Sequence, residues 1–380
     1  MNESPNAVPA RSIDSLVAEI RSHHQALDAT AAEAEQLGRA PDALDALLRE
    51  LRVPLVKAPR EIGGDHLHFA DQLAYFRALS YANPTACWAG FNHAGAAGMA
   101  GATLNEAGLD LVFGDNPAPV LAAVSAPTGT FEEVDGGLCL NGTWRYASGV
   151  FHSDWVMVTA VEFGVEAPRI RVAVVRTTDA QIDGEWKVMA LKGTGSFTVT
   201  CNDTFVPDAL TLDPLAGPSR GGPLYQTDYQ AYVAPENLGF TLGVCERFMD
   251  ELATYAKAKS RGFDGILADR GAFQYEFGKG QLAIDAARAL GESQFGNADE
   301  IIRSGRALTA TEQQRLVAAM AWATESAANT VSHLFHFAGA GALFESSPLQ
   351  RCFRDANGSV QHHVASNIAF DRLGATLLGA

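Results

Sequence analysis

Basic residues are scarce in this chain. Lysine and arginine total 28 against 44 aspartates and glutamates, for a net charge of −16. The acidic residues are spread along the chain rather than gathered in a block. Such a surface repels nucleic acid and anionic membrane, so neither is expected as a partner. Cysteine is rarer still. Cys87, Cys139, Cys201, Cys245 and Cys352 are odd in number, widely spaced and never arranged as C-x-x-C. That pattern argues against a disulfide frame or a zinc ribbon and predicts buried thiols in a reducing compartment. No run of ~18 apolar residues is present to span a bilayer. Residues 1–10 lack the basic-then-apolar layout of a secretory leader. A soluble, cytoplasmic protein is expected.

The common nucleotide and hydrolase motifs are missing too. No G-x-G-x-x-G follows a strand and no G-x-x-x-x-G-K-[ST] occurs, so neither a Rossmann nor a P-loop site is indicated. Gly339-Ala340-Gly341 follows a helical pattern and reads as helix termination. H-E-x-x-H and G-x-S-x-G are absent, which removes the commonest zinc-protease and serine-hydrolase signals. Asp65-His66-Leu67-His68 has no second cluster to complete a metal site and reads as a surface loop. No metal is expected.

What is present is a change of period along 380 residues, long enough for two or three domains. Residues 1–118 form a helical block. Ser12 begins a capping-type segment ahead of Ile13, Leu16, Val17 and Ile20, and Pro41 can open a helix with Leu44, Leu47, Leu48 and Leu51 on one face. Residues 119–212 alternate with a period of two. Leu138 and Leu140 lead into Asn141-Gly142, which reads as a tight hairpin turn, and no helical pattern separates the strands, which implies an antiparallel sheet. Residues 213–380 form the last block: it opens on a Gly/Pro/Ser-rich linker or lid at 217–223, and helical spacing returns after about residue 236. Leu316, Met320, Ala323, Ala327, Val331 and Leu334 follow a near-heptad series suited to a bundle. The fold class is therefore α+β, mostly α: an N-terminal helical domain, a central antiparallel β domain and a C-terminal four-helix bundle.

Four segments carry a resemblance. They are Arg60-Glu61-Ile62-Gly63-Gly64 with Tyr81 to Trp88; Asp135 to Gly149; Leu191 to Ser196 with Phe205-Val206-Pro207; and Arg351 to Gly374. In this order and spacing the chain resembles the acyl-CoA dehydrogenase superfamily. It looks most like the oxygenase components of two-component flavin-dependent monooxygenases, such as p-hydroxyphenylacetate hydroxylase and dibenzothiophene monooxygenase. The resemblance implies a reduced flavin (FMNH2 or FADH2) made by a separate NAD(P)H-flavin reductase, with O2 as co-substrate. It implies a C4a-hydroperoxyflavin kept from water, a small aromatic or heteroaromatic substrate, and a homotetramer or homodimer. The near-heptad face from Leu316 to Leu334 is the expected contact between subunits.

The same resemblance distributes roles. In the dehydrogenases a Glu just after the Arg354-Asp355 segment abstracts the substrate proton. Here that place falls near His363, and no Asp or Glu occurs from Ala356 through Phe370. His362 or His363 is expected beside the flavin, since imidazole changes charge near neutral pH; the alternative is a helix cap or subunit contact. Ser148 resembles a Ser beside flavin N5, or else is a turn residue. Ser125 matches a segment along the isoalloxazine ring, or is a plain loop Ser. Trp144 packs beneath the ring or in the β core. His93 sits where a substrate-contacting group is found, or is a core histidine, and Trp88 belongs to the aromatic lining with Phe76, Phe91 and Phe240. Arg261 matches a phosphate-binding Arg, with the usual Arg-x-x-Phe-Gly spacing altered to Arg261-Gly262-Phe263-Asp264-Gly265. Arg354 and Asp355 are expected to pair at a subunit contact. Two other readings stand beside this one: an acyl-CoA dehydrogenase with a displaced base or atypical substrate, and a non-enzymatic ligand-binding or oligomerisation relative.

Overall fold

Ser12 starts the first helix: its side chain accepts the N–H of Ser15, and α1 (Ile13–Ser22) buries Leu16 and Ile20. In this computed structural model the described residues are 11–116, 118–164, 167–260, 262 and 265–379. Two short helices follow, α2 (His24–Ala29) and α3 (Ala31–Leu37), and then α4 (Asp42–Glu50), for which Pro41 is the N-cap rather than a first-turn residue. Asn83 separates α5 (Phe69–Ala82) from α6 (Pro84–Thr103). Its side chain accepts the N–H of Ala86 at 3.1 Å, and Pro84 fills the first helical position, where no N–H is needed.

The α6 helix is rich in Ala and Gly and buried on nearly every side. Its slimness lets it stand between two cores. Cys87, Trp88 and Phe91 join the helical core, while Ala96, Ala97 and Ala100 join the core of the sheet. The short α7 (Glu106–Leu109) then leads toward the sheet.

The sheet contains β1 (Leu121–Val134), β2 (Gly137–Ala147), β3 (Trp155–Glu162), β4 (Arg169–Arg176), β5 (Gln181–Asp183), β6 (Phe197–Pro207) and β7 (Thr211–Leu212), in the order β5-β6-β2-β1-β3-β4-β7. It is mixed rather than wholly antiparallel, because β1 and β3 run parallel, with Leu121 opposite Trp155. The cause is topological. β2 returns along one side of β1, and the chain then crosses the start of β1 and enters β3 on its other side. The hairpin turn also differs from expectation. It lies at Asp135-Gly136, with Gly136 at φ +77° and Val134 paired to Gly137, while Asn141-Gly142 continues β2 through a register shift. Cys139, on β2, is half-exposed; the other four thiols are buried and all five are free.

The last block comprises α8 (Tyr229–Ala258), α9 (Gly271–Arg303), α10 (Ala310–Ala338), α11 (Pro348–Ser359) and α12 (Ile368–Leu378). A capping box between Thr309 and Glu312 opens α10, and Gly339 at φ +68° ends it. The series Leu316, Met320, Ala323, Ala327, Val331 and Leu334 is buried inside the chain's own core, with α8 and α9 as neighbours. That face is therefore not available as the subunit contact expected from its spacing. Residues left exposed on this layer are instead Tyr275, Leu282 and Trp322. Among the described residues no helix is long and apolar enough to cross a membrane.

Candidate active site

Two cavities meet where the sheet touches the two helical layers. The first, of about 470 Å³, lies against β1 and the end of β2 and is closed by the segment after α11. Ser125, Ser148, Ser196, Trp88, His362 and His363 are in its wall. The second, of about 530 Å³, runs between α6 and the start of α8 and is lined largely by apolar groups such as Phe91, Met99 and Val233. Asn92, Ala123, Val124, Ser125 and Tyr229 belong to both walls, so the two spaces adjoin. Volumes of this size suit small organic ligands.

A hydrogen-bonded chain fixes one side of the first cavity. The indole N–H of Trp88 donates to Ser148 Oγ at 3.2 Å, Ser148 Oγ is 2.8 Å from Ser196 Oγ, and Ser196 Oγ is 2.9 Å from Thr194 Oγ1. Thr194 donates to the Leu191 carbonyl at 2.9 Å. Since each hydroxyl has one proton, the chain runs in one direction: Ser196 donates to Thr194, and Ser148 donates to Ser196. Ser148 keeps one lone pair for another donor. The loop that carries Thr194 and Ser196 is held from α11, where the buried Asp355 accepts the Leu191 N–H at 2.7 Å. Burial raises the Asp355 carboxyl to about 6. Arg354 does not pair with Asp355; it reaches Glu35, Gln350 Oε1 and the Met189 carbonyl within this same chain.

The two histidines take different places. His362 packs edge-on against Trp88, ring centroids 5.6 Å apart, whereas His363 stacks flat on Tyr229 at the rim. Burial, with His363 adding to it, pushes the His362 imidazole down to about 3, so the ring is neutral at physiological pH. His362 Nδ1 is buried without a hydrogen-bond partner. With Nδ1 unpartnered, Nε2 is the ring nitrogen left free to hydrogen-bond a ligand. Tyr146 is backbone-strained at φ +71° and exposed, and it meets Trp186 edge to face at the outer end of the cavity.

These features fit a planar, polar-edged ring such as an isoalloxazine. Three serine side chains and the His362 imidazole border a space that no Asp or Glu side chain lines. Other expected residues fall elsewhere. Trp144 is fully buried in the sheet core, donates to the Thr159 carbonyl at 2.8 Å and lines neither cavity. His93 is a core histidine: it bonds the Leu121 carbonyl through Nδ1 at 2.9 Å and is pushed by burial down to about 4. Arg261 lies outside the described residues. Asn92, Tyr229, Trp186 and Glu236 were not foreseen. Glu236 had a signal, being the lone charged residue between Asp228 and Glu246 in an otherwise apolar helical stretch.

Comparison with known proteins agrees with this architecture. Residues 238–367 match the family described as acyl-CoA dehydrogenase, C-terminal domain. The chain is 26% identical over 326 residues to the indole-3-acetate monooxygenase of Pseudomonas putida, spanning 84% of this chain and 82% of that one. It is 27% identical over 375 residues to the p-hydroxyphenylacetate 3-hydroxylase oxygenase component of Acinetobacter baumannii, spanning 92% and 85%. Among solved structures, XiaF from Streptomyces sp. in complex with FADH2 and glycerol aligns with a TM-score of 0.89 at 26% identity, over 97% of this chain and 96% of that one. The fold is that of the acyl-CoA dehydrogenase superfamily. The chain is similar to oxygenase components of two-component flavin-dependent monooxygenases.

Proposed function

We propose that this chain is a flavin-dependent monooxygenase, the oxygenase component that receives reduced flavin from a separate NAD(P)H-flavin reductase. Its substrate is a small aromatic or heteroaromatic compound. The observation that carries this reading is the pair of adjoining cavities sharing Ser125, Asn92 and Tyr229, one bordered by hydroxyls and a neutral imidazole, the other largely apolar. The first suits the flavin ring and the second the substrate.

A bound reduced flavin, FMNH2 or FADH2, would supply the electrons that activate O2 for insertion of one oxygen atom into the substrate. The residues of the chain orient and protect that chemistry. Ser148, already donating to Ser196, would be left to accept a hydrogen bond from a ring N–H, which would favour the reduced over the oxidised flavin. His362, in the same wall and neutral at physiological pH, would hold a proton beside a bound flavin without carrying charge. Trp88 closes the space behind both residues, while Tyr229 and His363, stacked at the rim, limit the entry of water. Ser125, on the shared wall, is placed to contact either ring. Any dimer or tetramer uses a surface other than the buried Leu316–Leu334 face.

The test is rapid mixing of the anaerobic protein–FMNH2 or protein–FADH2 complex with oxygenated buffer. An oxidation course slower than that of free flavin, accelerated by substrate and yielding hydroxylated product, is expected. Tight binding of oxidised flavin that bleaches on adding an acyl-CoA would instead establish the dehydrogenase reading. That second reading has one observation of its own, since Glu236 on α8 brings a carboxylate to the neighbouring cavity.

A further inference from the structure

The second cavity has an acceptor-only end. Glu236, on α8, is 2% exposed. Its Oε2 accepts a 2.5 Å hydrogen bond from Lys57 Nζ, which also donates to the Tyr232 carbonyl at 3.0 Å and lies over the Tyr232 ring, 3.7 Å from its centroid. Lys57 is fully buried behind the carboxylate and is not part of the cavity wall. The other oxygen, Oε1, has no hydrogen-bond partner among the described residues, and it lies beside Gly95, where even an added Cβ would stand 3.7 Å away. Burial pushes the carboxyl up and the ammonium down while the bond between them opposes both shifts. The pair is net neutral whichever group holds the shared proton, and the geometry leaves Oε1 rather than Nζ on the cavity side. Around the same cavity, Asp213 and Asp228 stand at the exposed mouth, and no Lys, Arg or His lines the wall.

We infer that Glu236, anchored by Lys57, is a specificity-determining residue that accepts a hydrogen bond from a hydroxyl or N–H of the substrate. The preferred substrates are then uncharged or cationic aromatic compounds with such a donor, and aryl carboxylates are disfavoured. The inference rests on the reading that this cavity holds the substrate. Its physical basis is that a buried acceptor left unpaired by an isostere costs most of a hydrogen bond to a charged group, while a carboxylate brought to a wall with only acidic charges finds no counter-ion. The Lys57–Glu236 bond is a positioning contact that turns Oε1, not Nζ, toward the ligand.

Binding of three probes decides the matter: indole, its isostere benzofuran without the N–H, and indoleacetate with the same ring and a carboxylate. Affinities would be measured calorimetrically on the full chain loaded with reduced flavin under anaerobic conditions. Indole should bind roughly tenfold or more tightly than either of the others. In Glu236→Gln the charged acceptor is lost and Lys57 is left without its counter-charge, so the preference for indole over benzofuran should shrink several-fold. Should that variant fail to fold, Lys57→Met/Glu236→Leu removes both charges together, a change that buried pairs often tolerate, and it should bind the two isosteres equally. Equal binding of indole and benzofuran to the parent chain, tighter binding of indoleacetate, or no binding of indole at millimolar concentration would each overturn the proposal. Flavin retention is scored separately by spectrum: a chain that discriminates the probes without holding reduced flavin retains this inference and loses the monooxygenase reading. The reverse result does the opposite.

Discussion

The imidazole of His362 meets the indole of Trp88 edge to face at 82°, with its Nδ1 sealed from both water and partners. A neutral hydrogen-bonding group held this way is mimicked by an amide but not by a hydrocarbon. His362→Leu should therefore divert flavin oxidation to hydrogen peroxide, lowering the yield of hydroxylated product by about 100-fold. His362→Gln should recover part of that yield, and His363→Gln, altering only the rim, should cost little. Peroxide assayed against product measures the split. The same burial sets a pH dependence of stability. His362 titrates at about 3 in the fold against 6.5 for a free imidazole, so the unfolded chain gains a proton first and stability falls as pH drops from 6.5 toward 3. Denaturation midpoints for the parent should decline across that window more steeply than those for His362→Leu.

Ser148 offers a second test, because its proton is committed to Ser196 while Trp88 donates to it. Ser148→Ala removes the acceptor for a ring N–H and breaks the chain, at a cost of about 1 kcal/mol in reduced-flavin binding. Anaerobic titration should show reduced flavin weakened roughly fivefold to tenfold and oxidised flavin, which lacks that N–H, nearly unchanged. Trp88→Phe keeps the ring packing and the Ser148 acceptor, and its effect on reduced-flavin affinity should be smaller. Equal weakening of both redox forms by Ser148→Ala would contradict the assigned direction of the hydrogen bonds.

Much of the fold was legible in the sequence as local pattern. The periods of helix and strand and the capping of α1 by Ser12 follow from short-range spacing, while Ser125, Ser148, His362 and His363 are singled out by the family resemblance alone and line one cavity in the fold. What escaped depends on which side of a strand or helix faces the ligand. Trp144 and Ser148 lie on one short segment, yet Trp144 points into the sheet core and Ser148 to the cavity. Spacing alone could not tell a heptad face that packs within the chain from one that packs between chains, and Leu316–Leu334 packs within. Glu236 and Lys57 are 179 residues apart, and a charge in an apolar helix becomes a binding group only when the fold supplies its partner. The parallel β1–β3 pair is likewise a matter of topology rather than of period.

Asp355 links the last helices to the loop bearing Ser196, so its loss should loosen the flavin cavity as well as the fold. Asp355→Ala leaves the Leu191 N–H without its acceptor and should destabilise the protein by about 1–3 kcal/mol. Asp355→Asn keeps an acceptor oxygen and should restore most of that. The sign with pH is set by burial, which raises the folded carboxyl to about 6 from 3.8. Below 3.8 the carboxyl is protonated in both states and its contribution is fully present; as pH rises through 6 it is lost, because the unfolded chain releases the proton more readily. The stability difference between Asp355→Asn and the parent should therefore move in favour of Asn between about pH 4 and pH 6. Chemical denaturation at stepped pH would show no such drift if Asp355 were solvated.

Trp144 separates a structural role from a role in flavin binding. Its ring fills the space left by Gly129, where an added Cβ would fall 2.0 Å from Cζ2, and its N–H reaches the Thr159 carbonyl across the sheet. Replacing Trp144 with Phe removes that donor and part of the ring volume inside a fully buried site, which should destabilise the protein by about 1–3 kcal/mol. Gly129→Ala forces the opposite fault, overpacking, at a similar cost. Because Trp144 lines neither cavity, both variants should bind reduced flavin with parental affinity at temperatures where they remain folded. A loss of flavin affinity in Trp144→Phe without loss of stability would place the indole under the flavin instead. The expected pattern is a lowered denaturation midpoint with an unaltered anaerobic flavin titration, and the Gly129→Ala control tells a fault in core packing from a fault in ligand contact.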